Sequence, residues 1–134
     1  MEDKDYVSFE VAKMLQDKGY RDKCHAVYEK VFTDKNIFKL NRCLALWDFD
    51  YLTNKDGEQY EYLAPTLYDA QMWLIDRYDI RVMPTVVAEE RTYRFIGYGY
   101  TIHFKGLELV ENSGRKKTYQ QALDEGIGKA LKLI

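Results

Sequence analysis

Histidine, cysteine and proline each occur only twice in this chain of 134 residues. His25, His103, Cys24 and Cys43 stand at no paired spacing, so the turn-borne ligand pairs of structural zinc sites are missing and no metal is expected. Neither cysteine belongs to a C-x-x-C pair or sits in a nucleophile motif, which argues against cysteine–histidine catalysis. No apolar run approaches the ~20 residues of a membrane-spanning helix. The first ten residues, MEDKDYVSFE, are acidic and lack the apolar stretch of a signal peptide. A cytoplasmic protein with reduced thiols and no membrane contact is expected. A Walker sequence, a Gly-rich phosphate loop, an RNP motif and a Ser-x-x-Lys pair are also missing, and no cofactor or catalytic residue is expected.

An excess of one charge is lacking as well. Twenty Lys and Arg face 22 Asp and Glu, a net charge of −2. Such a chain has no global attraction to nucleic acid or anionic lipid, so nucleic acid is not an expected partner, although a local basic patch remains compatible. What the chain has is apolar content, 46%, and twelve tyrosines. At this length a fold buries roughly two-thirds of the unfolded surface, enough for a core without staples. One α+β domain over residues 1–134 is the expectation.

The segment APTLYDAQMWLIDRYD, Ala64 to Asp79, reads as a central amphipathic helix. Thr66 is its cap candidate; Leu67, Ala70, Leu74 and Tyr78 fall on one side, flanked by Trp73 and Ile75, with Met72 opposite. A first helix is predicted from Ser8 to Gly19, with Val11, Ala12, Met14 and Leu15 buried. A last helix is predicted from Thr118, which pairs with Gln121 as a capping box, with Leu123, Ile127, Ala130 and Ile134 buried and Tyr119 widening the stripe. Between the helices the pattern has period two. Strands are expected at residues 24–29, 47–52, 58–63, 81–89, 92–104 and 107–110, with turns at Asn54–Gly57 and Asn112–Gly114 and an ambiguous stretch at Thr33–Asn41. Pro84 implies an edge strand or a bulge, and Gly97 with Gly99 a bulge or bend. The expected fold is an antiparallel sheet of at least four strands with three helices packed on it, in the order helix, strands, helix, strands, helix.

The segments SFEVAKMLQDKGY, APTLYDAQMWLIDRYDI and KTYQQALDEGIGKALKLI resemble, in the same order, a group of small uncharacterised proteins encoded in gut-bacterial genomes, often in prophage-like regions. The resemblance implies a shared origin and fold and expression in the cytoplasm. It implies no activity and no site residue.

Candidate chemistry is thin. Asp48 and Asp50, two apart on an expected strand, would share a face as a Mg²⁺ site requires, but the same spacing suits the wet face of an amphipathic strand, which is preferred. Arg115, Lys116 and Lys117 precede the Thr118 cap and could hold an anion with the helix amides; a solvated loop is preferred, because the conflict with the helix dipole is mild. Tyr93 and Phe95 lie on the less apolar face of the long strand and are candidates for a homodimer or partner interface. The leading expectation is a non-catalytic binding or accessory protein acting through protein contacts. The alternative is a nucleic-acid-binding module using Arg115, Lys116, Lys117 and exposed tyrosines. A small metal-dependent enzyme using Asp48 and Asp50 comes third.

Overall fold

The computed structural model describes residues 2–31, 37–52, 54, 55 and 58–134. The α+β class and the order helix, strands, helix, strands, helix are as expected, with antiparallel pairing in every ladder. The chain divides into two compact units, Met1–Thr66 and Leu67–Ile134.

The first unit holds α1 (Phe9–Asp17), β1 (Cys24–Lys30), β2 (Phe38–Trp47), β3 (Asn54–Lys55), β4 (Glu58–Gln59) and β5 (Glu61–Leu63). Ser8 caps α1 as its sequence suggests, its hydroxyl accepting from the Val11 amide at 3.4 Å. Val11, Ala12 and Leu15 are buried, and Gly19 ends the segment with a φ of 99°, where only glycine is unstrained. Phe9 lies off that stripe because it serves the sheet: its ring stacks on Phe38 at 4.3 Å and meets Tyr28 and Tyr62 edge-on. The strand order is β2-β1-β5, which puts β1 in the centre and buries both Ala26 and Val27. A two-stranded ladder pairs β3 with β4; Asp56 and Gly57 of the expected turn, and residues 33–36 of the ambiguous stretch, lie outside the described residues.

Two features of this unit depart from the sequence reading. Strand β2 ends at Trp47, and the expected strand through Asp48 and Tyr51 is a 3-10 turn, Phe49–Tyr51. The cause is local: the Asp48 carboxylate accepts from the Asp50 amide at 3.1 Å, a bond that competes with a strand ladder. The other feature is a bulge. Cys24 pairs with Trp47 and Ala26 with Arg42, so Cys43, Leu44, Ala45 and Leu46, all exposed, stand opposite the single residue His25, and β2 carries three extra residues.

The second unit holds α2 (Leu67–Tyr78), β6 (Ile80–Ala88), β7 (Phe95–Phe104), β8 (Leu107–Lys116) and α3 (Tyr119–Lys132). Its sheet order is β6-β7-β8, so Pro84 does occupy an edge strand. Ile80, Val82, Tyr100 and Ile102 form the buried face of this sheet, and both helices pack there. From α2 come Leu67, Ala70, Trp73 and Leu74; Trp73 takes the buried place expected of Tyr78, whose half-buried ring meets it at 5.6 Å. Gln71 donates to the Val82 carbonyl at 2.7 Å and ties α2 to β6. From α3 come Ala122, Leu123, Ile127, Ala130 and Leu131. Gly126 makes the close approach possible, because a Cβ there would lie 2.5 Å from Val82 Cγ1 and 3.1 Å from the Tyr100 ring.

Tyr100 carries a pH signature of this packing. Burial first, and the Glu125 carboxylate second, raise its phenol above the ordinary value of 10.0, while a hydrogen bond with Asn112 opposes the rise. A raised pKa means that the fold prefers the neutral phenol. The stabilisation is therefore whole below about pH 10 and is lost as pH climbs through the raised value. The melting temperature of the parent should fall more steeply above about pH 10 than that of Tyr100→Phe, which has no phenol to ionise at that position. Parallel curves for the two proteins would contradict the assignment.

Candidate functional site

The sheet of the second unit brings four segments to one of its ends. Strands β6 and β7 are joined there by residues Glu89 to Arg94, closed by the Glu89 amide on the Arg94 carbonyl at 2.9 Å and the Tyr93 amide on the Glu89 carbonyl at 2.8 Å. Tyr93 adopts a left-handed φ of 57°, which turns the chain, and the residue is 84% exposed. Strand β7 then begins with Phe95. Because β7 runs antiparallel to β8, the last residues of β8, Arg115 and Lys116, return to this same end, and Lys116 pairs with Tyr98. Helix α3 starts immediately after them.

Helix α3 is anchored by the expected reciprocal cap. The Thr118 hydroxyl accepts from the Gln121 amide at 3.0 Å, and the Gln121 side chain accepts from the Thr118 and Lys117 amides at 3.3 and 3.1 Å. Tyr119 does not widen the buried stripe as expected. It is the first residue of the helix and 48% exposed, and its ring meets Tyr98 at 6.1 Å.

Two irregularities bring the segments together. The register passes from Val87–Gly97 to Ala88–Phe95, so Ile96 is an extra residue on β7. Phe95 is thereby turned to the helix-bearing face, 51% exposed and 5.1 Å from Tyr98, rather than to the opposite face where strict alternation puts it. On β8 the expected turn at Asn112–Gly114 is a bulge inside the strand: β7 advances from Tyr98 to Tyr100 while β8 spans Lys116 to Asn112. Arg115 has a φ of 56°, and its backbone fills the space a side chain at Gly97 would need.

The tyrosine and phenylalanine candidates and the cationic candidates, separate in sequence, thus share one end of one sheet. Arg91, part of the charged turn that follows β6, and Arg94 join them. Arg91, Arg94, Arg115 and Lys117 are exposed, and among the described residues none of the four enters an ion pair. Lys116 is different, lying 3.5 Å from Glu125 on α3. Glu89 and Glu90 are the acidic residues of the hairpin loop. Cations without partners beside exposed rings can hold phosphate and stack planar groups.

The remaining candidates do not assemble. The Asp48 carboxylate caps a turn and lies 3.9 Å from the Lys23 ammonium, so Asp48 and Asp50 do not share a strand face. Cys24 is buried and Cys43 exposed, and both are free thiols. Among the described residues no group of three or more His, Cys, Asp or Glu side chains could hold a metal ion, and no helix is long and apolar enough to cross a membrane. Comparison with known proteins finds no family model, no curated protein and no solved structure that matches this chain.

Proposed function

We propose that this protein binds nucleic acid at the end of the second unit's sheet, gripping the phosphate backbone with Arg91, Arg94, Arg115 and Lys117. The observation that carries the reading is the convergence of these four cations, without partners among the described residues, with the exposed rings of Tyr93, Phe95 and Tyr119. The chain's overall charge of −2 does not oppose it, because charges beyond about 10 Å are largely screened at ordinary salt. Arginine offers phosphate a planar, bidentate fork, and three of the four cations are arginine.

Fluorescence anisotropy with mixed RNA and DNA oligonucleotides, at about 50 and 200 mM salt, tests this. The expected result is binding that weakens steeply with salt, because each phosphate contact releases counterions. Replacing the four cations by glutamine should abolish binding while changing stability by no more than about 1 kcal/mol, as surface substitutions usually do. Absence of binding to any nucleic acid at the lower salt would overturn the reading.

A second reading, action through protein contacts with a homodimer as the simplest form, is favoured by Val86, 69% exposed and paired with Tyr98 toward the same end. Apolar surface of this kind suits a protein partner better than a phosphate backbone. Sedimentation separates the two. A monomer at high micromolar concentration, unchanged by Tyr93→Ser plus Phe95→Ser, would remove the homodimer.

A further inference from the structure

We infer that the nucleic acid held at this end is single-stranded, with unpaired bases laid on Tyr93 and Tyr119 while the neighbouring arginines and lysines follow the phosphates. The inference rests on the nucleic-acid reading above and adds the form of the ligand.

The exposure of three aromatic residues carries it. Tyr93, Phe95 and Tyr119 present half or more of their surface, or close to it, beside the cations. A duplex keeps the faces of its bases stacked inside, and bringing one out costs a few kcal/mol. A reader of duplex shape uses phosphates and sugar hydroxyls and has no need of exposed rings. A single strand offers every base face, and stacking tolerates any sequence.

The rings of Phe95 and Tyr119 are also held in place before a ligand arrives, and so is the backbone that carries Tyr93. Tyr98, half-buried between them, meets Phe95 and Tyr119 edge-on at 5.1 and 6.1 Å with interplanar angles of 66° and 81°. Tyr93 sits in a loop closed by two backbone hydrogen bonds. Fixed rings lose little conformational entropy when a base settles on them.

The sequence carries the same cation-Thr-Tyr order twice at this end. Arg91-Thr92-Tyr93 in the hairpin loop and Lys117-Thr118-Tyr119 at the start of α3 each place a cation two residues before an exposed tyrosine. Each half can hold one phosphate next to one stacked base. Two such halves at one end of a sheet match the aromatic-and-cation composition of single-strand grooves.

The test measures anisotropy of labelled single strands about 12 nucleotides long, within the range of such sites, against blunt duplexes of the same sequence. The parent should bind the single strand at least about 10-fold more tightly than the duplex. Tyr93→Ala and Tyr119→Ala should each weaken single-strand binding about 10-fold, the order expected for one lost stack. Tyr93→Phe and Tyr119→Phe should stay within about 2-fold of the parent, because the ring and not the hydroxyl makes the contact. Thermal melting of each variant confirms its fold before binding is scored. Equal or tighter binding of the duplex would overturn the inference and leave the nucleic-acid reading standing. So would alanine variants that bind like the parent while the glutamine variant of the four cations does not. Failure of every oligonucleotide to bind would remove both.

Discussion

Leu74→Ala should destabilise the protein by about 2–5 kcal/mol in denaturant melts, and Met72→Ala by much less. Leu74 is fully buried at the middle of α2, on the side that faces the sheet. Truncation removes three buried carbons and leaves a cavity, because α2 is held from collapsing inward. The Gln71 bond to the Val82 carbonyl fixes its distance from β6, and the neighbouring Trp73 is buried beside it. The lost transfer energy and the residual void therefore add. Met72 is only half-buried, and its unbranched side chain fills space loosely. Equal losses for the two variants would mean that the helix presents a different side to the sheet.

Helix caps and stripes were legible because their causes are local. Ser8 with Val11, and Thr118 with Gln121, are bonds between residues three apart, and a stripe needs only the period of one helix. What escaped was set by a partner strand or a competing bond. The Asp48 carboxylate chose the Asp50 amide over a ladder, so alternation through Trp47, Phe49 and Tyr51 pointed to a strand where a 3-10 turn stands. Asn112-Ser113-Gly114 has turn composition, yet pairing with β7 carries the strand through it as a bulge. Phe95 changed faces because Ile96 is an extra residue, a property of the β6–β7 register and not of either strand alone. Tyr119 has the spacing of a buried residue but belongs to the first turn of α3, and it remains half exposed. The site shows the same division. Arg115, Lys116 and Lys117, and Tyr93 and Phe95, each stood out in the sequence, whereas their meeting at one sheet end depends on two antiparallel registers. Arg91 and Arg94 could have been found from their flanking of Tyr93.

Gly97→Ala should cost about 1–3 kcal/mol, at the upper end of that range, and should weaken the site more than its stability loss alone explains. An alanine Cβ at this position would lie 2.8 Å from the Arg115 carbonyl carbon, 2.9 Å from its Cα and 2.9 Å from the Lys116 carbonyl oxygen. All three are backbone atoms, so no side chain can swing aside, and the end of β8 must move as a piece. Glycine to alanine in a strand otherwise gains something from reduced freedom of the unfolded chain, which makes a net loss a specific sign of the clash. The segment displaced is the one that carries Arg115 and Lys116 and leads into the Thr118 cap. A shift there also loosens the Tyr98–Tyr119 ring contact that holds one exposed tyrosine. Gly106→Ala is the control: its surroundings are open and its φ of 82° makes alanine strained, so it should cost stability without touching the site, at the opposite end of the β7–β8 hairpin. With both variants at temperatures where they are fully folded, Gly97→Ala should bind a single-stranded oligonucleotide more weakly than Gly106→Ala. Matching affinities would show that the backbone position of Arg115 does not govern the site.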